Sequence, residues 1–220
     1  LKLKADVQVK EFYKDPKSYI KQLPFNWREN NNNEFPPFLK TTHIRNGVQE
    51  NLDNATDEDW KPAELLITYL QAALDCSEMY YLTQDEKYAY VASTILYSFL
   101  KSVQQSEVSS WRGRGGWLFP YDGFREVRVI GYRLPLIYDF IHPYLKEEGK
   151  AFDILKDKNM NFPFEDAQKV FKVYANITVN YGQTGSNHCA LEAPSLVFNA
   201  LAMDDETERE KWLSYFLTES

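Results

Sequence analysis

The chain has two cysteines, three histidines, three methionines and nine glycines among 220 residues. Cys76 and Cys189 are too few and too far apart for a disulfide framework. Each lies in an apolar run, so both are expected to be buried, unbridged thiols. No apolar stretch approaches the roughly 20 residues of a membrane span, and Leu1-Lys2-Leu3-Lys4 has no apolar core of the kind a targeting segment needs. Positive charge is also short: 25 Lys and Arg face 32 Asp and Glu, for a net charge of -7. That balance argues against nucleic acid or anionic membrane as a partner, because both require clustered, outward-facing Lys and Arg. Missing too are a Gly-rich phosphate loop followed by Lys-Ser or Lys-Thr, a His-Glu-x-x-His, a closely spaced Cys/His set and a Gly-x-Ser-x-Gly elbow. Hence neither a cofactor nor a metal is expected. No alternating β-branched run flanks an Asn-Gly or Asp-Gly turn, which leaves no signal for a hairpin.

What is present is a chain 44% hydrophobic and 15% aromatic, long enough for one substantial core and one or at most two domains. Residues 1–58 read as a lead-in with loops: a short helical pattern from Pro16 to Leu23, then Asn30-Asn31-Asn32-Asn33 and Pro36-Pro37, which break periodic structure. From Trp60 the pattern is helical, with Asp57 or Asp59 as cap, Pro62 in the first turn, and Leu65, Leu66, Tyr69, Leu70, Ala73 and Leu74 apolar. Thr83-Gln84-Asp85-Glu86 starts a second helix with Tyr88, Ala92, Ile95, Leu96, Phe99 and Val103 on one face. A third runs from Phe124 to Leu145, and Pro135 should kink or divide it. A fourth spans Glu165 to Tyr181 and ends at Gly182. After it, Leu196-Val197-Phe198-Asn199-Ala200-Leu201-Ala202-Met203 is apolar on nearly every side, which predicts an inner-layer helix. Asp204-Asp205 caps the last helix, whose apolar pattern stops three residues short of Ser220, as expected for part of a longer protein. Residues 59–220 therefore predict an all-α domain of antiparallel helices.

Two places have the residue types of a functional site. Ser186-Asn187-His188 stands immediately before the apolar helix, where a polar cap and an imidazole able to exchange protons near neutrality would meet a cavity mouth. The plain alternative is that Ser186 or Asn187 caps the helix and His188 packs in its first turn. The second place is the long connection from Ser106 to Asp122. Trp111, Trp117, Phe119 and Tyr121 offer flat faces that stack on sugar rings, while Arg112, Arg114, Arg125 and Arg128 have the fork geometry for carboxylate or sulfate. Each single aromatic has the alternative of packing within a folded loop. Of the acids, Asp122, Glu126 and Glu192 lie near these segments, and spacing alone cannot pair them.

Ser186-Asn187-His188-Cys189-Ala190-Leu191-Glu192-Ala193 resembles the Asn-His-x-x-x-Glu-Ala segment of heparinase II/III-like and alginate lyase-like polysaccharide lyases. Gly123-Phe124-Arg125-Glu126 through Pro135-Leu136-Ile137-Tyr138-Asp139-Phe140-Ile141 is similar to the helix those families place before it, and Leu82-Thr83-Gln84-Asp85-Glu86-Lys87-Tyr88 to their helix-hairpin turn. The chain departs from many relatives at Ser186, Cys189 and Pro194. The resemblance implies an incomplete (α/α) toroid of helix hairpins and β-elimination on a uronic-acid polysaccharide such as a glycosaminoglycan or alginate. Asn187 and His188 are then the catalytic candidates. Trp111, Arg112, Arg114, Trp117, Tyr121, Arg125, Tyr181 and Glu192 are candidates for substrate contact. It further implies an anionic polysaccharide as partner, a periplasmic or secreted location, a catalytic Tyr beyond Ser220 and a following β-sandwich domain. Two other functions fit the same sequence: a glycoside hydrolase on a similar helical barrel, which needs two carboxyls flanking the scissile bond, and a helical carbohydrate-binding protein without turnover.

Overall fold

The computed structural model describes residues 1–23, 44–45, 48–49, 57–103, 123–182 and 187–218. Over these the protein is predominantly helical, the class its periodicity predicts. It divides into two compact units, Leu1–Gln105 with Ile137–Pro163 and Ser106–Leu136 with Phe164–Ser220.

In the first unit the chain opens with two helices, α1 (Lys2–Lys14) and α2 (Pro16–Lys21). The pattern around Pro16 predicts α2, but nothing in the lead-in predicts α1. Its buried stripe is only Ala5, Val9 and Phe12, and exposed Leu1, Leu3 and Val7 blur it in the sequence. Between the two helices Asp15 is extended and caps α2 by accepting from Ser18 N at 3.1 Å, with Pro16 in the first helical position, where no donor is needed. Hydrogen bonds from the Ser18 hydroxyl to Asp15 Oδ2 and then from the Ser18 amide hold the Asp15 carboxyl below its ordinary value. A short antiparallel pair follows, β1 (Ile44–Arg45) and β2 (Val48–Gln49).

Helices α3 (Asp57–Thr83) and α4 (Glu86–Val103) are joined by only Gln84 and Asp85. So short a connection folds the second helix back along the first. Gln84 takes the left-handed conformation, φ 57°, and its amide donates to the carbonyls of Tyr80 and Tyr81 that the helix end leaves open. Asp85 accepts from Lys87 N at 3.3 Å and so starts α4. The core between them is Leu66, Leu70, Ala73 and Cys76 from α3 with Ala92, Ile95, Leu96 and Phe99 from α4, all fully buried. Leu65, expected on the same face, is instead 39% exposed. Phe12 and Ile20 add α1 and α2 to this core, and Tyr69 OH donates to Gln22 Oε1 at 3.2 Å.

The third predicted helix is divided, though not where Pro135 led us to expect. It consists of α5 (Gly123–Glu126), a π-helical turn (Val127–Gly131) and α6 (Arg133–Glu147). Pro135 is the third residue of α6, within the first turn, where no helical donor is lost. The Val127–Ile130 stretch is this π-turn and not a strand. Gly149 (φ 56°) ends the segment and leads into an antiparallel hairpin, β3 (Lys150–Asp153) and β4 (Lys158–Asn161). The hairpin is a two-stranded exception within the all-α array expected beyond residue 59, in a stretch that shows no hairpin signal. Its strands lack apolar alternation because hydroxyls of α4 hold them: Ser93 Oγ donates to Lys150 O at 2.7 Å, Phe152 N donates to Thr94 Oγ1 at 3.0 Å, and Tyr97 OH donates to Asp153 Oδ2 at 2.6 Å. Asp153 also accepts from Leu155 N and Lys156 N, which closes the turn.

The second unit carries α5, the π-turn and the start of α6, then α7 (Phe164–Tyr181), α8 (Cys189–Leu201) and α9 (Glu206–Thr218). α7 buries Ala167, Val170, Phe171, Tyr174 and Ile177 of the apolar spacing 167, 170, 171, 174, 177 and 181, while Tyr181 at its end is half-buried. Gly182 follows because space demands it: a Cβ there would lie 2.3 Å from Thr178 O and 3.0 Å from Glu192 Oε2. Asp205 accepts from Glu208 N at 3.1 Å and caps α9, which buries Trp212. α8 is not an inner-layer helix. It buries Glu192, Ser195, Leu196, Asn199 and Ala200, and leaves Leu191 and Leu201 each 56% exposed. Cys189, expected to be buried, is exposed, because the covered face of α8 begins only at Glu192, while Cys76 is buried; both are free thiols. Among the described residues no helix is long and apolar enough to cross a membrane.

Candidate functional site

The second unit contains a cavity of about 770 Å³, within the range typical of small-molecule sites. One wall is the segment through the π-turn, with Arg125, Arg128, Val129, Tyr132 and Leu136; the other is α8, with Ala190, Leu191, Pro194 and Phe198. This explains why α8 is apolar nearly all round. Its outer apolar face lines a cavity, while its inner face carries polar groups among the apolar ones.

That inner face fixes how closely α8 approaches the π-turn. A Cβ at Gly131 would lie 2.2 Å from Ser195 Oγ and 3.1 Å from both Ser195 Cβ and Tyr174 Cδ1, so only glycine fits. Asn199 donates to Gly131 O at 2.8 Å and Ser195 O at 2.7 Å, and Thr178 Oγ1 donates to Tyr174 O at 2.9 Å while lying 3.3 Å from Ser195 Oγ. At the other end of the π-turn, fully buried Glu126 accepts from Tyr174 OH at 2.9 Å. Burial, then the Glu126 charge and this hydrogen bond, push the Tyr174 hydroxyl well above its ordinary value. π-turns inserted in α-helices recur at functional sites, and this one supplies Arg128 and Val129 to the cavity.

His188 occupies the cap position of α8 but makes no side-chain cap. Its carbonyl accepts from Leu191 N at 2.9 Å and Glu192 N at 3.1 Å, which ties its backbone to the helix start. Its half-buried ring points Nδ1 at Arg128 Nη1, 2.9 Å away, and Arg128 Nε donates to Phe124 O at 2.9 Å. Asn187 is exposed in the turn before it. The capping role open to Asn187 on sequence grounds is therefore not the one in which the structure shows it, since α8 has His188 at that position.

Of the other residues singled out, Arg125 lines the cavity and Tyr181 is half-buried at the end of α7. Glu192 is only 2% exposed, with its carboxylate turned toward Gly182, so the structure closes it off from a polymer in solvent. Trp111, Arg112, Arg114, Trp117 and Tyr121 lie outside the described residues. Sequence reasoning missed the apolar wall of Val129, Tyr132, Leu136, Pro194 and Phe198. A signal existed: 125, 128, 129, 132 and 136 recur at helical spacing, a stripe separate from the core stripe of Val127, Ile130 and Leu134.

Over 146 residues the chain is 28% identical to the endo-acting ulvan lyase of Formosa agariphila. It is similar to a polysaccharide lyase. The match covers 63% of this chain and 17% of that enzyme, so the chain spans only a small part of its relative's length. No protein-family profile matches the chain, and no solved structure does.

Proposed function

We propose that the chain is part of a polysaccharide lyase that cleaves a uronic-acid-containing polymer by β-elimination. The observation that carries this reading is the position of Asn187 and His188 just before α8, neither of them among the cavity-lining residues, with the His188 ring against Arg128 of the cavity wall, in a chain similar to a polysaccharide lyase. In the reaction, the proton at C5 of a uronate is removed and the C4–O bond breaks. The C5 electron pair forms the C4=C5 double bond, and the leaving sugar oxygen takes up a proton. C5–H is barely acidic while its neighbouring carboxylate is charged, so that charge must be met by donors aimed at it. The Asn187 amide donates without adding negative charge, His188 adds a donor from the cap of α8, and Arg128 adds one from the π-turn. Arg125 adds a second guanidinium at the cavity wall.

The finer features belong to the same proposal: a helical toroid continuing beyond residues 59–220, heparinase II/III-like or alginate lyase-like type, a catalytic Tyr and β-sandwich beyond Ser220, and a periplasmic or secreted location. A glycoside hydrolase is less well supported, because Glu126 is wholly buried and Glu192 nearly so. The test is a panel of polymers, including ulvan, glycosaminoglycans and alginate, incubated with the full-length protein. Near-ultraviolet absorbance from an unsaturated product is the expected result. New reducing ends without that absorbance would make it a hydrolase, and binding without either would make it a carbohydrate-binding protein.

A further inference from the structure

Whether His188 meets a substrate as a donor or as a base depends on which ring nitrogen holds the proton, and the structure contains the group that decides it. Arg128 Nη1 lies 2.9 Å from His188 Nδ1. A guanidinium has five N–H donors and no acceptor, so a hydrogen bond between them requires a lone pair on Nδ1. The imidazole is then neutral, with its proton on Nε2. Arg128 is not a loose partner. Its Nε donates to Phe124 O one turn back, it forms part of the cavity wall, and its backbone lies within the π-turn closed by Gly131 and Asn199. The backbone that carries the imidazole is held as well, because the His188 carbonyl accepts from Leu191 N and Glu192 N in the first turn of α8.

We propose that Arg128 is a positioning residue that locks His188 in the Nε2–H tautomer, so that His188 acts as a neutral hydrogen-bond donor to the substrate carboxylate and not as the base that removes the proton. The function assigned to His188 rests on the lyase reading; the tautomer does not. A consequence for the mechanism is that the proton acceptor at C5 must be a different group, because the only lone pair of the ring is engaged by a cation. Lysine at position 128 would keep a donor-only cation, whereas methionine would keep most of the volume and lose the donor.

Long-range proton–nitrogen correlation spectra of the full chain labelled with [15N]histidine read the tautomer directly. The chain has only His43, His142 and His188, and the spectrum of His188→Gln assigns the signals of His188. The wild-type protein should show His188 with Nε2 protonated and Nδ1 bare, and Arg128→Lys should retain that pattern. Arg128→Met should show averaged signals of two exchanging tautomers while those of His142 stay in place. An Nδ1–H tautomer or a doubly protonated ring in the wild-type protein at neutral pH overturns the proposal, as does an Arg128→Met spectrum in which His188 is unchanged. If circular dichroism shows that Arg128→Met does not fold, the wild-type and Arg128→Lys spectra still decide. No substrate enters this experiment. A protein without lyase activity but with the Nε2–H tautomer would sink the function and leave the lock, and the reverse result would sink only the lock.

Discussion

Asn187 is exposed, so replacing it removes a donor without opening a hole in the core. If that donor acts on charge developing in the transition state, Asn187→Ala should cost about 3–4 kcal/mol, or about 10²–10³-fold in kcat. The unfolding midpoint should stay where it is, and steady-state rates alongside thermal denaturation check both halves. Arg125 is a different case, a wall residue of the cavity; if its contacts to substrate are equally good before and during reaction, Arg125→Gln should raise KM more than it lowers kcat. The two cysteines provide a control independent of any substrate. Burial, then the charges of Asp75 and Asp6, push the Cys76 thiol up to about 12. The reactive thiolate is therefore scarce at that residue. Cys189 is exposed. A thiol reagent should label Cys189 in the native protein and Cys76 only after unfolding, as peptide mapping would show. Free thiols were legible from number and spacing; the exposure of Cys189 was not, because an apolar neighbourhood in sequence does not say which side of a helix is covered.

At the scale of elements, the π-turn and α8 are a matched pair. Gly131→Ala would drive a methyl group into Ser195, and overpacking of this kind costs about 1–3 kcal/mol. Because the nearest atom is Ser195 Oγ, at 2.2 Å, and the Ser195 Cβ remains at 3.1 Å, the double variant Gly131→Ala with Ser195→Ala should recover part of that loss, though not all. Denaturant unfolding of the two single variants and the double measures the coupling. The helices themselves were readable because their core stripes recur at three and four, as in α4 and α7. The π-turn was not, since an inserted residue leaves the apolar pattern nearly intact and Pro135 offered a more visible place to break. Nor was the β3–β4 hairpin, whose partners are Ser93, Thr94 and Tyr97 on a helix more than fifty positions earlier. At the candidate site, Asn187, His188 and Arg125 stood out by residue type. The bond between Arg128 and His188 could not, because sixty positions separate them and only the fold brings them together.

For the whole molecule, the abundant tyrosines set a limit on alkaline stability. Burial is the leading cause that raises Tyr19 and Tyr144 in the first unit, and Tyr174 in the second, above the ordinary value of 10. A hydroxyl whose folded value is raised keeps its proton in the native state after the unfolded chain has released it. Such a group contributes its full stability below pH 10, and the contribution falls as pH climbs from there toward the folded value. The protein should therefore lose stability progressively above about pH 10, with Tyr19, Tyr144 and Tyr174 ionising together with loss of helical circular dichroism and not ahead of it. Tyr174→Phe separates two effects of the same hydroxyl. At neutral pH it removes the donor to buried Glu126 and should destabilise by about 1–3 kcal/mol. Above pH 10 it also removes one ionisable group, so its stability should fall less steeply with pH than that of the wild type. Two parallel curves of unfolding free energy against pH would refute the second effect, and coincident values at neutral pH would refute the first.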